Sequence, residues 1–153
     1  MKTKIDYYLG RFLALLMGVM TVDVLWGVFT RYAMGNQASW SEELARFLLI
    51  WIGILGAAYA SGQNMHLAID LLMPKLTDTN QRRLKVLINT LIILFALTVL
   101  VIGGARLMYI TNVLGQLSPA LRVPMYVVYS VMPLSGLLVI YYKIVDLKRP
   151  EAA

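Results

Sequence analysis

Four stretches of this chain are long and apolar enough to cross a lipid bilayer, which limits its possible folds more than any other feature. A spanning helix needs about 20 mostly apolar residues. Runs of that kind cover about 7–32, 42–62, 86–109 and 124–145. Within each run the apolar residues surround the helix instead of forming one stripe, so lipid or another membrane subunit must cover them. Hydrocarbon offers backbone amides no hydrogen bonds, which excludes an open sheet. The expected fold is therefore all-α and integral to the membrane: four transmembrane helices in a single membrane domain spanning 1–153.

Composition agrees with this. Of 153 residues, 59% are hydrophobic and only 14% are charged, against about 25% charged in an ordinary soluble domain. The mean hydropathy is +0.70. The net charge of +6 would suit nucleic acid if the basic residues clustered. They stand instead at the ends of the apolar runs, as topology signals do. Cysteine is absent, which excludes disulfides, thiol catalysis and cysteine-ligated clusters. The single histidine excludes bis-histidine haem ligation within the chain.

The basic residues also set an orientation. Lys2, Lys4, Arg11, Lys75, Arg82, Arg83, Lys85, Lys143, Lys148 and Arg149 fall on one side, and Arg31, Arg46, Arg106 and Arg122 on the other. The positive-inside rule then puts both termini and the middle loop in the cytoplasm. The first run follows Lys2 and Lys4 as a signal peptide would. It is too long for a typical h-region and lacks a small-x-small cleavage site, so it reads as an uncleaved span.

The connections carry their own signals. Ser39 or Ser41 would cap the second helix, with Glu42 and Glu43 in its first turn at the favourable end of the helix dipole. Met65 to Met73 reads as a short interfacial helix closed by Pro74. Asp78 and Gln81 fit a capping-box variant for the third span. Between the third and fourth spans, Pro119 and Pro124 predict a stiff, extended connection, with Pro124 in the first turn of the last helix. Pro133 lies inside that helix, removes a bond to the Tyr129 carbonyl and predicts a kink.

Polar residues within the spans are the candidate functional groups. Asp23 in the first span would cost a few kcal/mol unless paired, hydrated or protonated. Arg46 is its expected partner, with Arg106 as rival. The pair would hold helices or a second subunit together; the alternative is a proton or ion relay through Asp23. Glu42, Glu43 and Arg46 form an i,i+4 and i,i+3 set at the membrane boundary. No nucleophile, metal-ligand set or histidine accompanies them, so they carry no catalytic reading. His66 and Asp70 share a helical face on the other side as a hydrogen-bonded interfacial pair. A metal would need a further ligand there. Neither a metal nor a cofactor is expected. Small residues recur at Gly10, Ala14 and Gly18, at Gly53, Ala57 and Ser61, and at Gly103 and Gly104, where helices can approach closely.

In order along the four spans stand WSEELAR at Trp40–Arg46, GILGAAYA at Gly53–Ala60, HLAID at His66–Asp70 and SPALRVPMYVVYSVMP at Ser118–Pro133. With these motifs nearly the whole chain resembles the small membrane subunit (Q subunit, DctQ-like) of the TRAP, or tripartite ATP-independent periplasmic, transporters. The resemblance implies a multi-pass protein of a bacterial inner membrane that is not an enzyme. It implies a 1:1 partnership with a large M subunit that moves substrate, and transient contact with a periplasmic substrate-binding P subunit. It also implies cation-coupled uptake, usually with sodium, of an organic anion such as a dicarboxylate or sialic acid. The small subunit would be a static scaffold, with Asp23, Trp40, Glu42, Glu43, Arg46, His66, Asp70, Arg106, Ser118, Pro119, Pro124 and Pro133 as candidates for structural or subunit contacts. A competing reading is a self-sufficient, proton-coupled small exporter acting as a dimer through Asp23. A membrane enzyme or redox anchor is opposed by the missing cysteines and single histidine.

Overall fold

The computed structural model describes residues 2–36, 38–63 and 78–148. Helix α1 runs Lys2–Ala33 and α2 runs Ser39–Gly62. The third span is built from α3, Asp78–Phe95, a π-helical segment, Ala96–Gly103, and α4, Gly104–Val113. The fourth is built from α5, Met125–Tyr129, and α6, Val131–Lys148. Four helical stretches among the described residues are long and apolar enough to span a membrane, and they overlie the four apolar runs. The interfacial helix expected at Met65–Met73 lies outside the described residues.

The spans do not close into a bundle. α1 packs on α2, α2 on α6, and α6 on the third span, so the order across the molecule is 1–2–4–3. Little is therefore buried: 11–17% of the apolar window in each of the first three spans and 33% in the fourth. A closed soluble core would hide far more. Here large apolar side chains such as Leu15, Val22, Leu91 and Ile102 face outwards, as a lipid- or partner-covered surface requires.

Two small clusters hold the row together. Leu9, Leu13, Leu55, Val131 and Tyr142 join the first, second and fourth spans. Ala58, Ala96 and Val139 join the second, third and fourth. The closest approaches use glycine. A Cβ at Gly62 would stand 2.9 Å from the Tyr142 ring, and one at Gly136 would stand 2.8 Å from Leu100 Cβ and Val101 Cγ2. Gly136 thus packs into the π-helical turn of the third span, whose i→i+5 winding interrupts the α-helix. Gly104 is similarly closed by Met132 and Pro133, whereas a methyl group at Gly18, Gly53 or Gly56 would meet nothing within 4 Å. The small-residue stripes divide accordingly between internal contacts and the open surface.

The kink predicted for Pro133 takes the form of a break at Ser130, between α5 and α6. Ser130 Oγ donates to the Val127 carbonyl at 2.6 Å. Trp51 Nε1 donates to the Val128 carbonyl at 3.1 Å. Trp51 lies mid-helix in α2, away from the span ends, and supplies a hydrogen bond at the break.

Candidate functional site

The described part of the molecule has two ends. One carries Ala33, Ser39 and the connection 114–124, here the loop end; the other carries Lys4 and Leu147, here the terminal end.

At the loop end, α2 is capped differently from expectation. The N-cap is Ala38, in extended conformation and without a side-chain cap, and Ser39 and Ser41 lie inside the helix. Ser41 is turned sideways instead: its hydroxyl donates to the Asp23 backbone carbonyl at 3.0 Å. This contact fixes the level of α2 against α1.

That level undoes the expected Asp23–Arg46 pair. Arg46 lies five residues beyond Ser41, about 7.5 Å closer to the terminal end. The cause lies at the loop end: α1 runs ten residues past Asp23, to Ala33, whereas α2 starts only two residues before Ser41, so α1 extends beyond α2 there. Arg46 pairs with Glu42 one turn earlier, and both side chains are more than half exposed. Arg106, the rival partner, is exposed on α4. Asp23 is 6% exposed, and both of its carboxylate oxygens are buried without a hydrogen-bond partner.

Asp23 contributes to a lateral groove of about 660 Å³ between α1 and α2, with Leu15, Gly18, Val19, Val22, Trp26, Trp40 and Leu44. Arg46 is two positions past Leu44, about 200° around the helix, so it points away from this groove.

Glu43 leaves its helix neighbours and binds the third connection. Its Oε2 accepts from the Ala120 amide at 2.9 Å and the Leu121 amide at 2.7 Å. The connection is therefore a closed turn and not the extended segment that the two prolines suggested. Leu117 and Pro124 form an antiparallel bridge. The Ser118 amide donates to the Val123 carbonyl at 2.9 Å, and Ser118 Oγ accepts from the Val123 amide at 3.1 Å. Arg122 takes a φ of 56°, which a side chain adopts only when its surroundings fix it. Pro124 is the N-cap of α5, one residue before the expected first turn. Pro119 and Ala120 face Glu42, Glu43, Arg46 and Phe47 across a shallow surface depression.

The terminal end holds a cluster that sequence reasoning missed. Lys143, a topology signal by its place in the sequence, is only 1% exposed. Its Nζ donates to the Ser61 carbonyl at 3.3 Å and stands 3.8 Å from Asp146 Oδ2. Tyr142, fully buried, stacks edge-on to Tyr141 and lies against Gly62. An oppositely charged i,i+3 pair on a span was the available signal. His66 and Asp70 lie outside the described residues.

Among the described residues no three His, Cys, Asp or Glu side chains converge on a possible metal site. What the arrangement offers is open helix surface, an acid buried without a hydrogen bond beneath a lateral groove, and a structured loop end.

Comparison with known proteins supplies the context. The family model described as "Tripartite ATP-independent periplasmic transporters, DctQ component" matches residues 20–151. A Haemophilus influenzae protein named as a TRAP transporter small permease protein is 28% identical over 81% of this chain and 75% of its own length. An isethionate TRAP transporter permease protein DctMQ of Oleidesulfovibrio alaskensis is 32% identical over 64% of this chain and 15% of its own length. The C4-dicarboxylate TRAP transporter small permease protein DctQ of Rhodobacter capsulatus is 29% identical over 70% of this chain and 47% of its own length. The chain thus matches about half or less of the latter two relatives.

Proposed function

The chain belongs to the DctQ component of the tripartite ATP-independent periplasmic transporters, a permease subunit of the inner membrane and not an enzyme, and on that premise we propose that it scaffolds a large M subunit. The observation that carries this reading is the open 1–2–4–3 row. Most of the apolar surface of three spans is uncovered, and a large membrane partner would cover it. The DctMQ name of the isethionate relative, of which this chain matches only 15%, supports such a partner.

In this reading the chain is a single membrane domain paired 1:1 with M. M carries the substrate and the coupling cation, sodium. The periplasmic P subunit delivers an organic anion such as a dicarboxylate or sialic acid and docks transiently. The loop end, with Trp40, Glu42, Glu43, Arg46, Ser118 and Pro119, is the side that P meets. The count of basic residues supports this orientation, with the termini in the cytoplasm.

Co-purification tests the reading. The expected result is a 1:1 complex of this chain with one large hydrophobic subunit from detergent extracts. A stable homodimer that transports substrate without that subunit would overturn it. Orientation is tested by single cysteines, since the chain has none: a membrane-impermeant thiol reagent should label Ala120→Cys from the periplasmic side.

A further inference from the structure

The terminal-end part of α1 carries its charge on the face that packing leaves open. At about 100° per residue, Lys4, Tyr7, Tyr8 and Arg11 lie within about 120° of the helix circumference, and all four are exposed. Ile5, Leu9 and Leu13, on the opposite side, pack into the cluster that joins the first, second and fourth spans. Asp6, the nearest acid in sequence, stands on that inner side with its Oδ1 buried. Neither Lys4 nor Arg11 is paired with an acid among the described residues.

Arg11 lies about 10.5 Å further into the span than Lys4. A guanidinium facing outwards at that depth is costly unless its side chain turns back to the interface. It does turn back: its Cζ stands 4.1 Å from the centroid of the Tyr7 ring, one turn nearer the terminal end, where the ring's negative face attracts it. Tyr7 in turn meets Tyr8 edge-on, with centroids 5.7 Å apart. Beyond Arg11 the same face becomes apolar, with Leu15, Gly18, Val19 and Val22, and a side chain at Gly18 would meet nothing within 4 Å. From Tyr7 to Gly18 is about 16.5 Å, close to half of a hydrocarbon core about 30 Å thick.

We propose that this face of α1 binds one anionic phospholipid, with Lys4 and Arg11 on the headgroup phosphate and an acyl chain along Leu15, Gly18 and Val19. Charge complementarity selects an anion, and a guanidinium fork suits a phosphate. Depth selects a lipid: two cations stand over an apolar strip as long as one leaflet's acyl region. A carboxylate on a partner helix would best meet Arg11 at its own level, whereas the guanidinium is withdrawn to the level of Tyr7. A second copy in a two-fold contact would set cations against cations. The proposal goes beyond the scaffold reading and does not depend on it.

Native mass spectrometry of the full chain in detergent, with equal amounts of dioleoyl phosphatidylglycerol and dioleoyl phosphatidylcholine, tests it. The expected result is a preferred phosphatidylglycerol adduct. Lys4→Gln with Arg11→Gln, both on an exposed face, should keep the helix content by circular dichroism and weaken that adduct roughly 5–30-fold. Arg31→Gln, which removes an exposed cation at the other end of α1, should leave the preference unchanged. Excess soluble glycerol phosphate, a headgroup without acyl chains, should fail to displace the lipid. In native membranes with the large subunit present, Leu15→Cys, a unique thiol on this face, should carry a benzophenone into adducts with lipid.

Equal binding of the two lipids, a preference that survives the double substitution, or an equal loss in Arg31→Gln would overturn the proposal. So would displacement by glycerol phosphate, which would mark a free-phosphate site, or benzophenone adducts to the large subunit alone. The scaffold reading stands or falls separately, on co-purification.

Discussion

Lys143 in the fourth span and Asp23 in the first are both charged residues hidden from solvent, 1% and 6% exposed. The fold treats them oppositely. Lys143 is answered from within: the Ser61 carbonyl comes from the second span and Asp146 from its own helix. Asp23 is fixed only through its backbone, and its carboxyl group makes no hydrogen bond. A buried charge that finds its partners inside a chain belongs to that chain's own stability. The Asp23 carboxyl group, buried as fully, finds no such partner among the described residues. The terminal end of this molecule thus satisfies its own buried charge, whereas the acid near the loop end is buried without a hydrogen bond among the described residues.

The comparison breaks first at Lys143. Lys143→Met removes the buried ammonium that faces Asp146 and the Ser61 carbonyl, and breaking such a pair costs about 3–5 kcal/mol. Unfolding of the purified chain in detergent should shift by that amount. A shift below about 1 kcal/mol would mean that the cluster is not internally held.

The next effect is steric. Gly136→Ala adds a methyl group 2.8 Å from Leu100 and Val101 and 3.2 Å from the Ala96 carbonyl. Backbone on one side cannot yield cheaply, so destabilisation of about 1–3 kcal/mol is expected. Gly53→Ala, which opens on empty space, should be neutral in the same assay and sharpens the distinction between inner and outer glycines.

Trp51→Phe keeps an aromatic ring but removes the indole donor to the Val128 carbonyl, for about 1 kcal/mol. Glu43→Ala is expected to act locally: the Ala120 and Leu121 amides lose their acceptor and should exchange hydrogen faster, with helix amides in α6 unchanged. Smallest is Asp23→Asn in the isolated chain. Its carboxyl group has no internal hydrogen bond to lose, so the unfolding midpoint should stay put while that of Lys143→Met collapses. A large loss in the isolated chain would show that Asp23 serves this chain's own fold.

The spans were legible in the sequence because a run of apolar residues over 20 positions has few physical meanings. Their adjacency was not. Apolar residues on all sides of α1 and the third span leave no periodic stripe to say which face meets a neighbour, so the 1–2–4–3 order appears only in the structure. The Asp23–Arg46 error has a related root: aligning the midpoints of two apolar runs assumes helices that end level, whereas α1 runs ten residues past Asp23 and α2 starts only two before Ser41. The prolines at 119 and 124 marked the third connection correctly as constrained. Its closed shape depends on Glu43, some 77 residues away in sequence, which no local pattern reveals. Lys143 looked like a topology signal because position near a span end says nothing about burial.

Uptake by reconstituted vesicles tests the central claim most directly. Vesicles holding this chain alone should accumulate no organic anion under a sodium gradient with the binding protein outside, and adding the large membrane subunit should establish uptake. Transport by this chain alone, abolished by Asp23→Asn, would contradict the account and make Asp23 a coupling acid.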